Sequence, residues 1–255
     1  MNRSNYPALL GFRTYTDLVS EASRTYLSFF WWLAEPAFQL AIYYLVFGVL
    51  LGIRTENFLA FLLTGIIAWQ LFNRLIMNAS ASITRGVGIY SKVPINKLFF
   101  PTVALLSDLI KHLVVLLVLL GFLLITGYSL GVALLALPLV VLTEVVLAAA
   151  IGYWAALLVP FVPDLTIVIA TILMGLMFAS GIFYDVSNLS PEIQSVFYLN
   201  PMAVLIREHR SVLLENQFPE WQALGVIALV SAVLIFVAVR FERRFSQHYI
   251  RLVVS

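Results

Sequence analysis

Long apolar runs separated by short polar breaks organise this chain. Six of them are predicted as transmembrane helices, at 28–52, 58–80, 98–126, 130–158, 165–184 and 223–239. A helix needs roughly 20 apolar residues to cross a hydrocarbon core about 30 Å thick, and these runs meet or approach that length. Residues 8–26 follow a different rhythm. Leu9, Phe12, Tyr15, Val19, Ala22 and Tyr26 recur at steps of three or four, while Arg13, Asp17, Ser20, Glu21 and Arg24 fall largely on the other face. This amphipathic helix suits the membrane interface, or a seat on the chain's own cytosolic ends.

One apolar stretch is too short to span. Residues 193–206, inside the 185–220 segment, number 14, the range of a re-entrant or interfacial piece. Asn200-Pro201 breaks it near the middle, because proline lacks an N–H and restricts the residue before it. Irregular backbone at membrane depth must sit inside protein or line a wet cavity, so the segment marks a candidate pathway.

Charge placement sets the orientation. One side carries ten basic residues: Arg3, Arg13, Arg24, Arg85, Lys92, Lys97, Arg240, Arg243, Arg244 and Arg251. The other carries Arg54, Arg207 and Arg210. Basic residues concentrate on the cytoplasmic side, so both termini are expected there, with an even number of spans. A spanning 193–206 would carry the Arg240–Arg251 cluster outside. The first 24 residues show no apolar h-region, so insertion is expected to use the first span.

Composition fixes the class. Hydrophobic residues make up 62% and charged residues 11% of 255, the usage of a polytopic membrane protein rather than a soluble domain. Cysteine is absent, which excludes disulfides and thiolate metal sites. None of the three lysines sits in a phosphate-cradling G-x-x-x-x-G-K-[ST] loop. His112, His209 and His248 lie on separate segments without ligand spacing, so no metal site is expected. The chain therefore reads as a non-enzyme that binds no cofactor, takes no nucleic-acid partner and draws its energy from a partner or an ion gradient.

Polar residues inside the runs are few. Glu35 precedes Pro36 in the first run, Arg74 lies near the inner end of the second, and Asp108 and Lys111 stand at (i, i+3) in the third. Arg74 and Lys111 are within snorkelling reach of the interface. Glu144 lies at the middle of the fourth run, where an ionisable residue is a functional candidate by default. It is neutral in a packed interior, paired with a neighbour, or facing a wet channel; the residue pattern leaves all three open. Small residues at Gly48 and Gly52, and at Ala148, Gly152 and Ala156, suit close helix contact. Aromatic residues reach 14%. The interfacial belt accounts for part of them. Others, such as Trp69, sit deep, and rings with polar tips suit a surface along which sugars slide. The basic, proline-bearing loop 84–97 is the best candidate for docking a partner.

This layout resembles the membrane subunit of ABC-2-type exporters, and within that group the capsule and O-antigen polysaccharide permeases. The resemblance rests on Phe30-Trp31-Trp32-Leu33-Ala34-Glu35-Pro36, Phe61-Leu62-Leu63-Thr64-Gly65-Ile66-Ile67, Lys92-Val93-Pro94-Ile95, Phe161-Val162-Pro163-Asp164-Leu165, and Leu199-Asn200-Pro201-Met202 with Arg207-Glu208. These short pieces occur in order along nearly the whole chain. The resemblance implies an all-α fold: an interface helix, six spans, and a re-entrant segment between spans five and six. It implies a homodimer in the bacterial cytoplasmic membrane with two copies of a P-loop ATPase, which would hold the ATP and Mg. Contacts to that ATPase are expected from Arg13, Asp17 and Glu21 on the N-terminal helix and from Arg85, Ile89, Tyr90, Lys92, Val93 and Pro94 in the loop. A channel lined by Trp31, Trp32, Tyr43, Trp69, Phe72, Phe178, Phe183 and Tyr184 is expected, with Tyr198, Asn200 and Pro201 at its exit. The cargo implied is a lipid-linked polysaccharide. A drug, lipid or teichoic acid cargo is the alternative within the family, and an ion-coupled carrier using Glu144 the alternative outside it.

Overall fold

A computed structural model describes residues 6–24, 28–52, 57–86 and 96–253. The described residues form helices and turns and no strand. In chain order the helices are α1 (Tyr6–Arg24), α2 (Ser28–Tyr43, continued by a π-helix over Tyr44–Leu50), α3 (Phe58–Arg85), α4 (Phe99–Ile125) and α5 (Leu137–Leu158, entered through a 3₁₀ turn at Val132–Ala136). They continue as α6 (Leu165–Phe178), α7 (Pro191–Phe197), α8 (Pro201–Leu213) and α9 (Trp221–Val253). Five helical stretches are long and apolar enough to cross a membrane: Phe30–Leu50, Phe58–Arg85, Phe99–Ile125, Val132–Leu158 and Trp221–Arg244. The protein is thus a multi-pass membrane protein.

The run expected as span five departs from a full helix. Only 14 of its residues, Leu165–Phe178, are helical, about 21 Å at 1.5 Å per residue. The backbone then turns, with Gly181 at φ +72°, a conformation glycine adopts without penalty. The apolar pattern of 165–184 runs on through this turn, which is why hydropathy alone overstates the helix.

The bundle is built around α3. Of its central stretch 78% is buried, against 17% in both Phe30–Leu50 and Trp221–Arg244. Helix α3 therefore lies inside the protomer, while α2 and α9 turn most of their surface outward. The α3–α5 seam is the tightest contact. Ala148, Ala150 and Ala156 are fully buried, and a Cβ placed on Gly152 would stand 2.8 Å from the Ala79 methyl. The small-residue series on α5 thus serves packing within the chain. With no gain from water exclusion inside lipid, such close backbone approach is what holds helices together. Polar rivets add direction. The hydroxyls of Thr102 and Tyr153 meet at 2.8 Å between α4 and α5, and the Trp154 indole donates to the Leu234 carbonyl on α9 at 3.2 Å.

A side chain forced into this seam should separate α3 from α5. Gly152→Leu is expected to cost about 1–3 kcal/mol, the usual range for overpacking, and to lower the melting temperature of the detergent-solubilised protein. Gly121→Leu, where nothing lies within 4 Å of an added Cβ, should leave it unchanged.

Candidate functional site

Polar residues gather at three levels of the bundle. At one level α1 docks through charge. Its own Arg13 pairs with Asp17 at 3.1 Å. Lys111 on α4 is almost enclosed, and its ammonium reaches Glu21 of α1 at 2.5 Å and Asp108 at 3.2 Å. The Asn78 amide on α3 donates to Asp108 at 2.7 Å, and the Arg85 guanidinium donates to the Asn78 carbonyl at 2.9 Å. Breaking one partner of a buried pair leaves an uncompensated charge, so this chain of contacts ties α1, α3 and α4 into one unit. Lys111 is therefore a structural tie, where snorkelling alone would have left it free. Between the three helices lies a cavity of about 510 Å³, lined by Arg13, Asp17, Glu21, Arg85, Asp108 and Lys111 among others. Four of the expected coupling residues, Arg13, Asp17, Glu21 and Arg85, meet there. The others, Ile89, Tyr90, Lys92, Val93 and Pro94, lie outside the described residues.

At the opposite end, α7 and α8 form a hairpin broken at Asn200-Pro201. Asn200 caps α8 by accepting from the Met202 N–H at 3.0 Å, and Pro201 takes the first helical position, where no N–H is missed. The Asn200 amide also donates to the Ala179 carbonyl at 3.0 Å and the Ser180 hydroxyl at 2.9 Å. Arg210 completes the joint. Its guanidinium donates to Gly181 O at 2.7 Å, Ile182 O at 3.0 Å and Phe61 O at 3.1 Å, and it lies over the Phe61 ring. Gly65 makes room: a Cβ there would come within 2.8 Å of the guanidinium. Burial lowers the Arg210 pKa, with Asp185 opposing, and the group remains a cation at neutral pH. Nearby, Arg207 bonds Glu208 and Glu220 and covers the Tyr198 ring, its centre 4.8 Å away. Burial pulls Arg207 down, and the two carboxylates more than reverse it.

Between these levels, Glu144 is fully buried and faces His209 at 3.4 Å. The His209 Nδ1 lies 2.9 Å from the Leu205 carbonyl, which can only accept. Nδ1 therefore carries a proton, and in a neutral ring Nε2 is left as an acceptor toward Glu144. No hydrogen bond joins the two side chains; Glu144 faces the imidazole across 3.4 Å inside a closed interior.

The expected channel-lining residues divide. Trp32, Trp69, Phe72 and Phe183 are buried in the protomer's own core, whereas Trp31 and Phe178 are exposed. Tyr43 and Tyr184 are half-buried. Phe183 sits among rings from α2 and α6, with centres at 4.5 Å to Phe47, 4.8 Å to Tyr43 and 5.3 Å to Phe178. A ring closed into the core offers no face to a path outside it. The pattern of apolar residues missed Arg210, Gly65 and His209. Arg210 entered only as outward charge; an arginine sharing a helix face with Ile206, Leu213 and Leu214 was the available signal.

Comparison with known proteins gives a consistent answer. The ABC-2 type transporter family model matches residues 17–214. The O-antigen export system permease protein RfbA of Myxococcus xanthus is 24% identical over 239 residues, covering 91% of this chain and 90% of that protein. Two O-antigen export system permease proteins of Klebsiella pneumoniae are 21% identical over 225 residues and 22% identical over 204. The first pairing covers 88% of this chain and 86% of that protein, the second 80% and 79%.

The Arg210 joint generates a test. Arg210→Met leaves the Gly181 and Ile182 carbonyls without their donor, at about 1.5–3 kcal/mol for each hydrogen bond to a charged group. The variant should melt earlier in detergent and be cut by protease between 179 and 200. Arg210→Lys should recover only part of the loss, because an ammonium cannot reproduce the planar fork.

Proposed function

Because this chain belongs to the ABC-2 type transporter family, we propose that it is the channel-forming membrane subunit of an ATP-driven exporter for a lipid-linked polysaccharide, of O-antigen or capsule type. The observation that carries this reading is collinear similarity over at least four-fifths of the chain to three O-antigen export permeases. In this reading the chain forms a homodimer in a bacterial cytoplasmic membrane and associates with two ATPase subunits, where ATP and Mg are held. Both termini lie in the cytoplasm and six segments cross, with α6 and the following turn as the fifth.

The polar levels acquire roles within that arrangement. The cavity between α1, α3 and α4 is lined by Arg85 and Gly86, where the loop 84–97 begins, so ATPase docking acts on Arg13, Asp17, Glu21 and Arg85 together with Ile89, Tyr90, Lys92, Val93 and Pro94. The α7–α8 hairpin is re-entrant at the exit, with Tyr198, Asn200 and Pro201 at its turn. Support comes from depth. Glu144 lies 12 residues into the 27-residue stretch Val132–Leu158, near its middle, and His209 of α8 meets it there. A helix that reaches mid-span from a segment too short to cross is what re-entrance requires. Trp31 and Phe178 offer rings to the path between two copies.

Two measurements test the proposal. Purification of the full chain from its native membrane should bring a P-loop ATPase with it. The Tyr90→Ala, Lys92→Ala double variant should insert normally yet lose most polysaccharide export. Normal export by that variant would remove the loop from the mechanism. Transport that needs no ATPase and follows a proton gradient would return the leading role to Glu144.

A further inference from the structure

The loop 84–97 is anchored differently at its two ends. At its entry, the Arg85 guanidinium donates to the Asn78 carbonyl at 2.9 Å and lines the cavity between α1, α3 and α4. At its exit stands Lys97, 2% exposed, whose backbone N–H donates to a carboxylate oxygen of Glu242 on α9 at 3.3 Å. Glu242 is itself 5% exposed and lies 145 residues further along the chain. Acids and lysines are rarely enclosed so fully unless each answers another polar group.

Glu242 answers two needs at that point. Lys97 precedes Leu98 and Phe99, where α4 begins, and Leu98 makes no side-chain capping bond. The start of a helix presents unpaired N–H groups and the positive end of its dipole, which a carboxylate suits. Asn96 Oδ1 takes the Leu98 N–H at 2.8 Å, and Glu242 takes the N–H before it. The Lys97 ammonium is the second need. Burial lowers its pKa, and the Glu242 charge opposes that fall.

The surroundings join several helices. Ala238, one turn before Glu242 on α9, packs in one apolar cluster with Ile83 of α3, Phe99 and Phe100 of α4, and Ala156 of α5. Tyr6 of α1 meets Phe99 edge-on with ring centres 5.8 Å apart, and Trp154 of α5 meets Phe241 at 5.6 Å. Elsewhere α9 packs mainly on α5. The bond from Glu242 is thus a polar tie from α9 to the loop.

We propose that Glu242 is a positioning residue for energy coupling: it holds the exit of the loop 84–97 to α9, so that displacement of the loop moves the last span as well as α3 and α4. It acts through Lys97 rather than on the ATPase itself. The assignment rests on the ATPase-docking reading above.

The absence of cysteine allows single labels. Ser91→Cys in the loop and Arg243→Cys, exposed on α9 beside Glu242, each carry a nitroxide in the full chain purified with its ATPase. Adding ATP with Mg should change the spectrum at both positions. In Glu242→Leu the change at 91 should persist and the change at 243 should vanish. A response at 91 with none at 243 in the otherwise native chain overturns the proposal alone. An undiminished response at 243 in Glu242→Leu does the same. Silence at both positions defeats the docking reading and this proposal together. In a second arm, Glu242→Leu should lower export per ATP hydrolysed roughly tenfold, the scale of one hydrogen bond to a charged group, while the ATPase still co-purifies. Glu242→Gln keeps an acceptor oxygen and should recover part of that ratio. An unchanged ratio in Glu242→Leu also overturns the proposal. Should Glu242→Leu fail to insert, Glu242→Gln carries both arms with smaller effects of the same sign, and unchanged values there are equally fatal.

Discussion

The structure depends on keeping backbone polar groups satisfied where an apolar run stops being helical. Helix α6 ends at Phe178, and the turn that follows exposes carbonyls that lipid cannot hydrate. Two side chains from the next segment answer that need. Asn200 takes Ala179 O, and Arg210 takes Gly181 O and Ile182 O. Because Arg210 also reaches Phe61 O on α3, the same guanidinium fixes the outer hairpin to the central helix. The α6 break and the α7–α8 hairpin are therefore one device: the helix ends early while the following helix supplies donors to the turn.

Polar contacts elsewhere do similar work. Lys111 joins Glu21 and Asp108, and through Asp108 joins Asn78, so a helix outside the bundle is tied to two helices within it. Glu144 of α5 and His209 of α8 face each other at 3.4 Å across a closed interior.

Legibility in the sequence followed the strength of each physical signal. The five long spans were readable because hydropathy integrates over 20 or more positions. That residues 193–206 do not form one long helix was readable from Asn200-Pro201, and two short helices meet at that dipeptide. The α6 end was not readable, because Ala179–Tyr184 stays apolar while its backbone turns; the stop signal is a tertiary bond from residue 210. Aromatic rings misled for a related reason. Trp69 and Phe183 look alike to Trp31 and Phe178 in a sequence, and only packing separates the closed pair from the open one. Pairings such as Glu35 with Arg74 are 39 residues apart, so periodicity within one helix cannot display them.

Helix α3 is where these separate contacts become one structure. Its first turns offer Phe61 and Gly65 to Arg210, its middle offers Gln70 and Arg74 to α2, and its last turns offer Asn78 and Arg85 to the junction with α1 and α4. Helix α3 contains no proline, and without such a cause a helix curves only gently, so displacement at one end is carried along it. Displacing the last turns of α3 must then either carry Phe61 and the hairpin with it or pull Arg210 off its carbonyls. The second course strands buried polar groups, at several kcal/mol by ordinary magnitudes. The first must shift α3 along the close-packed seam of Ala148, Gly152 and Ala156 and carry His209 away from Glu144, so α3, α5 and the hairpin are held in register by more than one contact.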